Sequence, residues 1–363
     1  MAKEIQVTEE QLFVSVSALI DTARQKVKTT VNTTMVYTYF GIGYYIVETE
    51  QHGNARAAYG KAVLKNLSVR LTDKYGEGWS VETLKKCRLF YNVFGTQGRD
   101  ALRENLNKVH SVDLIRKQNG VPRFSLSWSH YLILMRIENP DERSFYEIEC
   151  QKQDWTVRQL QRQYASSLYE RLALSRDKDE VLRLSKAGQT LEKPDDIIKN
   201  PLTLEFLGLK PNECYSESKM ESAIITKMRD FLLELGKGFL FETRQKRFTF
   251  NEEHFFVDLV LYNRILQCYV LIDLKIDKLT HQDLGQMQMY VNYYDRYVKF
   301  DYEKPTIGIL LCKKKDDALV ELTLPKDANV YATAYQLCLP DKALLQAKVK
   351  EWIEEYEESE KGK

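Results

Sequence analysis

Two short apolar segments stand out in the pattern of hydrophobic and polar positions along the chain. Residues 255–262 read FFVDLVLY and residues 268–275 read CYVLIDLK, and the polar pair Asn263-Arg264 marks the break between them. Segments of about eight residues, rich in branched and aromatic side chains and joined by a short break, are typical of a β-hairpin. Because both faces of both segments are apolar, we expect this hairpin to lie in a sheet that is covered on both sides.

Helical patterns flank the predicted hairpin. Residues 220–235 carry apolar side chains at helical spacing and stop at Gly236, which predicts one amphipathic helix with Glu221 in its first turn. Residues 280–283 form a capping box that would open a second helix. On one face of that helix lie Gln286, Tyr290 and Tyr294. A further buried strand is predicted at residues 306–311, and this order of elements predicts a three-layer α/β core.

The N-terminal half contains a short repeated pattern. WSVETL at 79–84 recurs as WTVRQL at 155–160, and in each copy a Ser or Thr is placed to cap a helix. Residues 61–75 are helical in pattern and are followed by the turn GEG at 76–78, so the outline is that of a helix-turn-helix. On this interpretation the residues that contact phosphates are Lys85, Lys86, Arg88, Arg158 and Arg162. Two packed helical hairpins with tryptophan anchors would give the same pattern.

Charged and proline-bearing sequence separates the two halves. Residues 176–211 contain Lys193-Pro194 and Asn200-Pro201, and segments of this kind commonly mark a domain boundary. We therefore predict a helical, candidate DNA-binding N-terminal domain at 1–180, a connector at 181–211, an α/β domain at 212–345, and a C-terminal helix with an acidic tail at 346–363.

Length and composition agree with two folded domains, because 363 residues with 44% hydrophobic side chains exceed what one core normally holds. No apolar stretch approaches the roughly 20 residues needed to span a bilayer, and the start MAKEIQVTEEQ lacks a signal-peptide pattern. We expect a cytoplasmic protein with no membrane partner. The six cysteines are scattered without a C-x-x-C pair, which argues against zinc sites and structural disulfides.

The net charge of +1 hides an asymmetry between the two halves. Residues 1–176 contain 25 Lys and Arg against 19 Asp and Glu, a net +6, whereas residues 177–363 contain 28 against 33, a net −5. A basic half beside an acidic half would suit a phosphate-binding module next to a metal site. A solvated charged surface explains the same numbers.

Three charged residues interrupt the apolar hairpin, namely Asp258, Asp273 and Lys275. A lone carboxylate in such a place costs several kcal/mol, so these residues should be paired or should bind a metal. Mg²⁺ or Mn²⁺ favours carboxylate oxygen and keeps waters, and a nearby lysine can orient or deprotonate one of them. The spacing D-x14-D-x-K therefore predicts metal-assisted phosphodiester hydrolysis. A simple salt bridge between Asp258 and Lys275 is the alternative.

The chain also resembles the YhcG-type nucleases of the PD-(D/E)XK superfamily. The residues that carry the resemblance are NP at 200–201, LEFLGL at 204–209, Glu221, FLLELGKGF at 231–239, RQ at 244–245, DL at 258–259, DLK at 273–275, GQM at 285–287 and Tyr290, with GIG at 41–43 and YGK at 59–61 nearer the start. The resemblance covers most of the chain. It implies a restriction-endonuclease-like α/β core with a central mixed sheet, and an endonuclease that cuts DNA with Mg²⁺ or Mn²⁺.

The resemblance also implies a role for individual residues. Asp258 and Asp273 would bind the metal together with Glu221, Lys275 would be the catalytic lysine, and Gln286 would be the polar residue of the following helix. Nucleic-acid contact is assigned to Arg244, Gln245 and Tyr290, although Tyr290 also suits core packing. Two positions depart from the family pattern: Val257 replaces the usual proline, and Asp273 replaces the usual glutamate before the lysine.

Other functions remain open at this point. A nuclease fold that binds nucleic acid or a protein partner without cutting would keep the same residues, and the shorter Asp273 leaves room for it. RNA is an alternative substrate, since a metal site of this kind recognises phosphate and the N-terminal half has no RNA-specific motif. A homodimer is a further expectation, because enzymes that cut both strands often pair two sites.

Overall fold

The computed structural model describes residues 9–52, 57–95, 123–174, 178–199, 201–211, 213–250, 252–325 and 328–361. The chain divides into two compact units, Met1–Arg143 and Ser144–Lys363. Over the ranges that are described, no helix is both long enough and apolar enough to cross a membrane.

Helices build the described part of the first unit. They are α1 (Glu9–His52), α2 (Ala57–Tyr75), α3 (Val81–Phe94) and α4 (Trp128–Leu134), followed by α5 (Pro140–Gln153), which ends in the second unit. Ser80 Oγ accepts a hydrogen bond from the Thr83 backbone N–H at 3.2 Å, so the predicted N-cap of α3 is confirmed. The all-α character predicted for this region is confirmed as well.

Close packing of α1 on α3 forms the centre of this unit. A Cβ atom at Gly43 would lie 2.1 Å from the Cys87 carbonyl oxygen, so only glycine fits at the crossing. Phe40 lies beside it, with its ring centroid 5.9 Å from Phe90 and 5.2 Å from Tyr91, in edge-to-face arrangements. These aromatic contacts explain why so many large rings occur in a helical region.

The second unit is a sheet between helices. Its helices are α6 (Val157–Ala165), α7 (Leu168–Leu174), α8 (Lys178–Ala187), α9 (Glu217–Thr226), α10 (Met228–Leu235), α11 (His281–Tyr297), α12 (Asp317–Thr323) and α13 (Lys342–Lys361). Its strands are β1 (Leu202–Thr203), β2 (Phe239–Phe250), β3 (Glu253–Asn263), β4 (Cys268–Lys278), β5 (Ile307–Lys314) and β6 (Val330–Gln336).

The six strands form one mixed sheet in the order β1-β6-β5-β4-β3-β2. Strands β2, β3 and β4 pair antiparallel, whereas β4, β5, β6 and β1 pair parallel. The predicted hairpin is β3 and β4, and the predicted strand at 306–311 is β5. The predicted capping box is also present, because Thr280 and Asp283 cap α11 reciprocally.

Apolar side chains cover both faces of the sheet. On one face, Met220, Ile224 and Phe231 of α9 and α10 join a buried cluster with strand residues. On the other face, Met287 and Tyr294 of α11 join a second buried cluster. The predicted three-layer α/β core with a central mixed sheet is therefore confirmed.

One predicted element differs from the structure. The single helix expected over residues 220–235 is two helices, because Lys227 has φ −111° and ψ 28° and thus leaves the helical conformation between α9 and α10. The apolar spacing runs through this break without a glycine or proline to mark it. Strands β1, β2 and β6 were not predicted.

Buried ion pairs tie residues after 144 to the sheet core. Arg171 Nη1 lies 2.6 Å from Glu234 Oε1, and Arg162 Nη1 lies 3.0 Å from Glu234 Oε2. Arg162 Nε lies 3.1 Å from Glu205 Oε1. These contacts place α6 and α7 in the second unit, ahead of the connector predicted at 181–211. The domain boundaries predicted from the sequence, at residues 180, 211 and 345, stay a prediction about which segments fold independently.

Candidate active site

Asp258 and Asp273 lie where β3 and β4 stop pairing. The last hydrogen-bonded pair towards this end is Leu259 with Ile272, and the next position on each strand is an aspartate. Asp258 Oδ2 accepts a hydrogen bond from the Leu274 backbone N–H at 2.8 Å, which replaces a strand partner. The two carboxyl groups interact directly. The sequence prediction that these acids converge agrees with this geometry.

The Asp273 side chain is buried, with only 5% of its surface exposed. Burial and then the negative charge of Asp258 raise the pKa of Asp273 to about 7, although Lys275 acts in the opposite direction. A buried carboxylate beside a second, partly buried one is an unfavourable arrangement unless a positive charge offsets the repulsion. The site therefore has the electrostatic character of a cation-binding site.

Lys275 lies against the same pair. Its Nζ is 2.7 Å from Asp273 Oδ2 and 3.8 Å from Asp283 Oδ1. Burial alone lowers the pKa of Lys275, but the attraction of Asp273 and the hydrogen bond to it raise the pKa above its usual value. Lys275 is therefore a permanent ammonium group here, which suits it to orient and stabilise negative charge.

Asp283 links the lysine to the start of α11. Its Oδ2 accepts a hydrogen bond from the Thr280 backbone N–H at 2.8 Å, while its Oδ1 faces Lys275. The sequence pattern predicts a capping role for Asp283 but not its place beside Lys275. No local pattern signals this contact, because it depends on how α11 packs against β4.

Glu221 reaches the site through Gln245. The Gln245 Nε2 atom donates to Glu221 Oε2 at 2.8 Å and to Asp258 Oδ1 at 2.9 Å. Gln245 has φ 47°, a left-handed conformation that is uncommon for a residue other than glycine. Gln245 was predicted as a nucleic-acid contact, and the structure instead brings its amide onto two of the predicted metal ligands.

Gln286 and Tyr290 lie on α11 beside the acids. The Tyr290 hydroxyl hydrogen-bonds with the backbone of Phe256 and with the Gln286 side chain. Burial, followed by the charges of Asp273 and Asp258, raises the pKa of Tyr290. Only 2% of Tyr290 is exposed, so we replace its predicted role as a nucleic-acid contact with a role in positioning Gln286.

The remaining predicted nucleic-acid contacts are divided between the two units. Lys85 and Lys86 belong to the first unit, where each ammonium lies 4.0 Å from a Glu82 carboxylate oxygen, and Arg88 lies half-buried on the same helix. In the second unit, Arg158 and Arg244 are exposed. None of these residues is placed against the carboxylates by a described contact.

Arg162, predicted as a nucleic-acid contact, forms partly buried hydrogen bonds within the second unit instead. Its guanidinium donates hydrogen bonds to Glu205, to Glu234 and to the Thr203 carbonyl, and only 14% of the side chain is exposed. A guanidinium saturated by buried carboxylates has no donor left for a phosphate. We therefore no longer include Arg162 among the candidate DNA contacts.

The donor set fits a cation held by two carboxylates. Among the residues that the structure describes, no three His, Cys, Asp or Glu side chains are grouped as a metal site. The predicted set of Asp258, Asp273 and Glu221 is therefore not assembled as a trio, because the Gln245 amide stands between Glu221 and Asp258. Mg²⁺ usually takes one or two carboxylates and several waters, so Asp258 and Asp273 suffice in number and kind.

Two family models match the chain. The YhcG PDDEXK nuclease domain matches residues 195–350, which include every residue of the site described above. The DUF1016 N-terminal domain matches residues 15–171. The two matches together span both compact units.

A curated relative and a solved structure were also found. The chain is 38% identical over 347 residues to a protein of Escherichia coli (strain K12) with the name "Putative nuclease YhcG", and the match covers 93% of this chain and 92% of that protein. A repair endonuclease from Pyrococcus abyssi matches 35% of this chain and 50% of its own, with 19% identity and a TM-score of 0.24, which is too low to support an argument. Because the nuclease-domain model matches and the Escherichia coli relative is similar over nearly the whole of both chains, the chain belongs to the YhcG family of PDDEXK nuclease-domain proteins.

Proposed function

We propose that this protein is a divalent-metal-dependent nuclease that hydrolyses phosphodiester bonds of DNA. The observation that carries the proposal is the meeting of Asp258, Asp273 and Lys275, with the Lys275 Nζ 2.7 Å from Asp273 Oδ2 at the end of the β3–β4 ladder. Membership of a nuclease family supports the reaction class, and PDDEXK nucleases generally use divalent metals.

Asp258 and Asp273 would hold the cation. When bound, Mg²⁺ or Mn²⁺ supplies Lewis-acid polarisation of a phosphate oxygen and lowers the pKa of a water. Asp258 is held for this task by the Leu274 backbone N–H, which fixes one of its oxygens. The other oxygen faces the Gln245 amide.

Lys275 supports the attack on phosphorus. An ammonium group of this kind donates hydrogen bonds to an attacking water and to the negative charge that develops on the phosphate. Before a cation binds, Asp273 raises the pKa of Lys275, so the lysine enters the reaction as a charged group. Asp283 and Asp273 limit the directions in which its side chain can point.

A polyanionic substrate is favoured on electrostatic grounds, and we propose DNA as that substrate from the family resemblance. Strand β2 passes the site at Gln245, whose amide contacts Asp258, and it carries exposed Arg244, Lys246 and Arg247 with Glu242 as its acidic residue. Such a basic strand can follow a phosphate backbone. Matched DNA and RNA oligonucleotides would separate this substrate from RNA, since cleavage of RNA alone would contradict the proposal.

Cleavage by single-residue variants tests the assignment. Asp258→Asn, Asp273→Asn and Lys275→Met should each lower the rate of DNA cleavage by roughly 100-fold or more while the far-ultraviolet circular dichroism stays native. Asp277→Asn is the matched control, because Asp277 is exposed on the same strand, and its rate should stay within about twofold of wild type. A triple variant that cuts DNA as fast as the wild-type protein would reject the site.

A further inference from the structure

A groove lies between α11 and strand β2 at the edge of the sheet. Its volume is about 310 Å³, at the small end of the range for ligand pockets, and its wall includes Phe248 of β2. The side chains that matter for its chemistry are Phe248, Gln288, Asn292, Tyr293, Arg296 and Tyr297. None of them has a role in the proposed hydrolysis.

Aromatic rings form one side of this groove. Phe248 and Tyr293 stack with ring centroids 4.2 Å apart and an interplanar angle of 17°. Tyr297 adds a third ring, 5.4 Å from Tyr293, and 69% of its surface is exposed. The Tyr297 ring is tilted by 50° to that of Tyr293, so one of its flat faces is open to a planar ligand.

Two amide side chains form the neighbouring side. Gln288 Nε2 donates to Asn292 Oδ1 at 3.1 Å, which fixes both amides on the same face of the helix. The Gln288 Oε1 atom is enclosed but has no hydrogen-bond partner. A buried acceptor without a partner is costly, so a ligand that brings an N–H group to this oxygen would be favoured.

Positive charge accompanies these groups. Arg296 lines the groove, and β2 brings its exposed basic residues up to Phe248. The Phe248 ring also contacts Tyr290 at 5.3 Å, and Tyr290 holds Gln286 of the candidate active site. The groove and the candidate active site therefore lie along the same helix, and the Phe248–Tyr290 contact lies between them.

We propose that this groove binds one unpaired nucleobase of the substrate strand, with its ring on the exposed face of Tyr297, its edge against Gln288 and Asn292, and its backbone phosphate near Arg296. An unpaired base is required because pairing hides the edge and stacking hides the face that these groups would contact. The inference rests on the proposed function and adds a substrate class, DNA with a single-stranded or frayed segment beside the scissile bond.

Binding of a fluorescent base tests this proposal without cleavage. The probe is a short single-stranded DNA oligonucleotide with one 2-aminopurine, titrated with the full-length protein in the presence of a chelator, alongside a fully paired duplex of the same sequence. Tyr297→Leu should weaken binding of the single strand about tenfold and remove most of the fluorescence quenching, because base–aromatic stacking has this magnitude. Binding of the duplex should change less than twofold.

Matched variants distinguish the loss of a contact in the groove from the loss of any exposed tyrosine. Tyr297→Trp should bind the single strand as tightly as the wild-type protein, since it keeps an aromatic face. Gln288→Met should weaken binding of the single strand as Tyr297→Leu does. Tyr302→Leu is the control for losing an exposed tyrosine, because Tyr302 is 75% exposed outside the groove, and it should change nothing.

Several results would overturn the inference. The inference is wrong if Tyr297→Leu quenches the probe and binds the single strand as the wild-type protein does. It is also wrong if Tyr297→Leu loses single-strand and duplex binding equally. A change of oligomeric mass in Tyr297→Leu with unchanged DNA binding would show that a second copy of the chain occupies the groove. Each of these outcomes would reject binding of a base in the groove. If Asp273→Asn still loses cleavage, the proposed nuclease function would stand without the groove.

Discussion

Asp273 is the residue whose environment matters most for the site. Its carboxyl group is buried beside a second carboxylate, so the charged form is disfavoured and its pKa rises to about 7 from 3.8. A folded state that holds a proton more tightly than the unfolded chain is most stable below the unfolded pKa. This contribution is lost as the pH rises towards the folded pKa.

The stability of the protein in the presence of a chelator should depend on pH through Asp273. The free energy of unfolding of the wild-type protein, minus that of Asp273→Asn, should fall between about pH 4 and pH 7 by a few kcal/mol and then stay level. Urea unfolding at a series of pH values measures this difference. Excess Mn²⁺ at pH 8 should restore the lost stability in the wild-type protein only. A difference that rises with pH would contradict the account.

Gln245 pairs a strained backbone with two hydrogen bonds. Its φ of 47° disfavours residues with a Cβ atom, and its amide bridges Glu221 and Asp258. From the sequence this residue was a candidate contact for nucleic acid. Its true neighbours depend on the register of β2 against β3, which local sequence does not specify.

Two substitutions separate the strain from the hydrogen bonds. Gln245→Ala loses both hydrogen bonds and keeps the left-handed strain, whereas Gln245→Gly loses the hydrogen bonds and the strain together. We expect the glycine variant to be more stable than the alanine variant by about 1 kcal/mol in thermal or urea unfolding. Equal stabilities would mean that the backbone at position 245 relaxes without cost.

At the scale of elements, a buried carboxylate joins helices to the sheet core. Glu234 on α10 is fully buried and faces Arg171 of α7 and Arg162 of α6. Burial opposes ionisation of Glu234, but the two arginines and Lys199 together hold its pKa down at about 2. The charge of Glu234 therefore persists in the interior and orders the surrounding helices.

Removing that charge should be costly. Glu234→Gln leaves Arg171 and Arg162 buried without a full counter-charge, so the free energy of unfolding should fall by about 3–5 kcal/mol. The matched control is Arg183→Met, which breaks an exposed ion pair with Glu192 and should cost less than about 1 kcal/mol. Similar losses in the two variants, measured by urea unfolding, would contradict a buried role for Glu234.

Strong local patterns made part of the fold predictable. The β3–β4 hairpin and the cap of α11 follow from alternating or capped sequence, and they bring Asp258, Asp273 and Lys275 into the right region. Strand β2 escaped prediction because most of its side chains are exposed at the sheet edge, so it lacks an apolar pattern.

Tertiary contacts decided the rest. The break at Lys227 has no glycine or proline signal, and Glu234 and Arg162 look like ordinary solvent-facing charges in a helical pattern. Their roles appear only when α6 and α7 pack on α10. The same holds for Asp283, whose capping role was readable but whose contact with Lys275 was not.

At the scale of the whole molecule, the two units have different chemistry. The described part of the first unit is helical, whereas the second unit holds Asp258 and Asp273. Residues 1–176, which carry a net +6, comprise the first unit and the start of the second. Family models match residues 15–171 and 195–350, on either side of a short interval. This division is consistent with a module for binding and a module for cleavage.

Binding of Mn²⁺ followed by isothermal titration calorimetry tests the central claim most directly. The wild-type protein should bind the ion at a site that Asp258→Asn and Asp273→Asn each weaken by at least about tenfold, because each variant removes one carboxylate ligand. Asp277→Asn should bind like the wild-type protein. If wild-type protein takes up no Mn²⁺, or if both site variants bind it as tightly as wild type, Asp258 and Asp273 do not hold a catalytic cation.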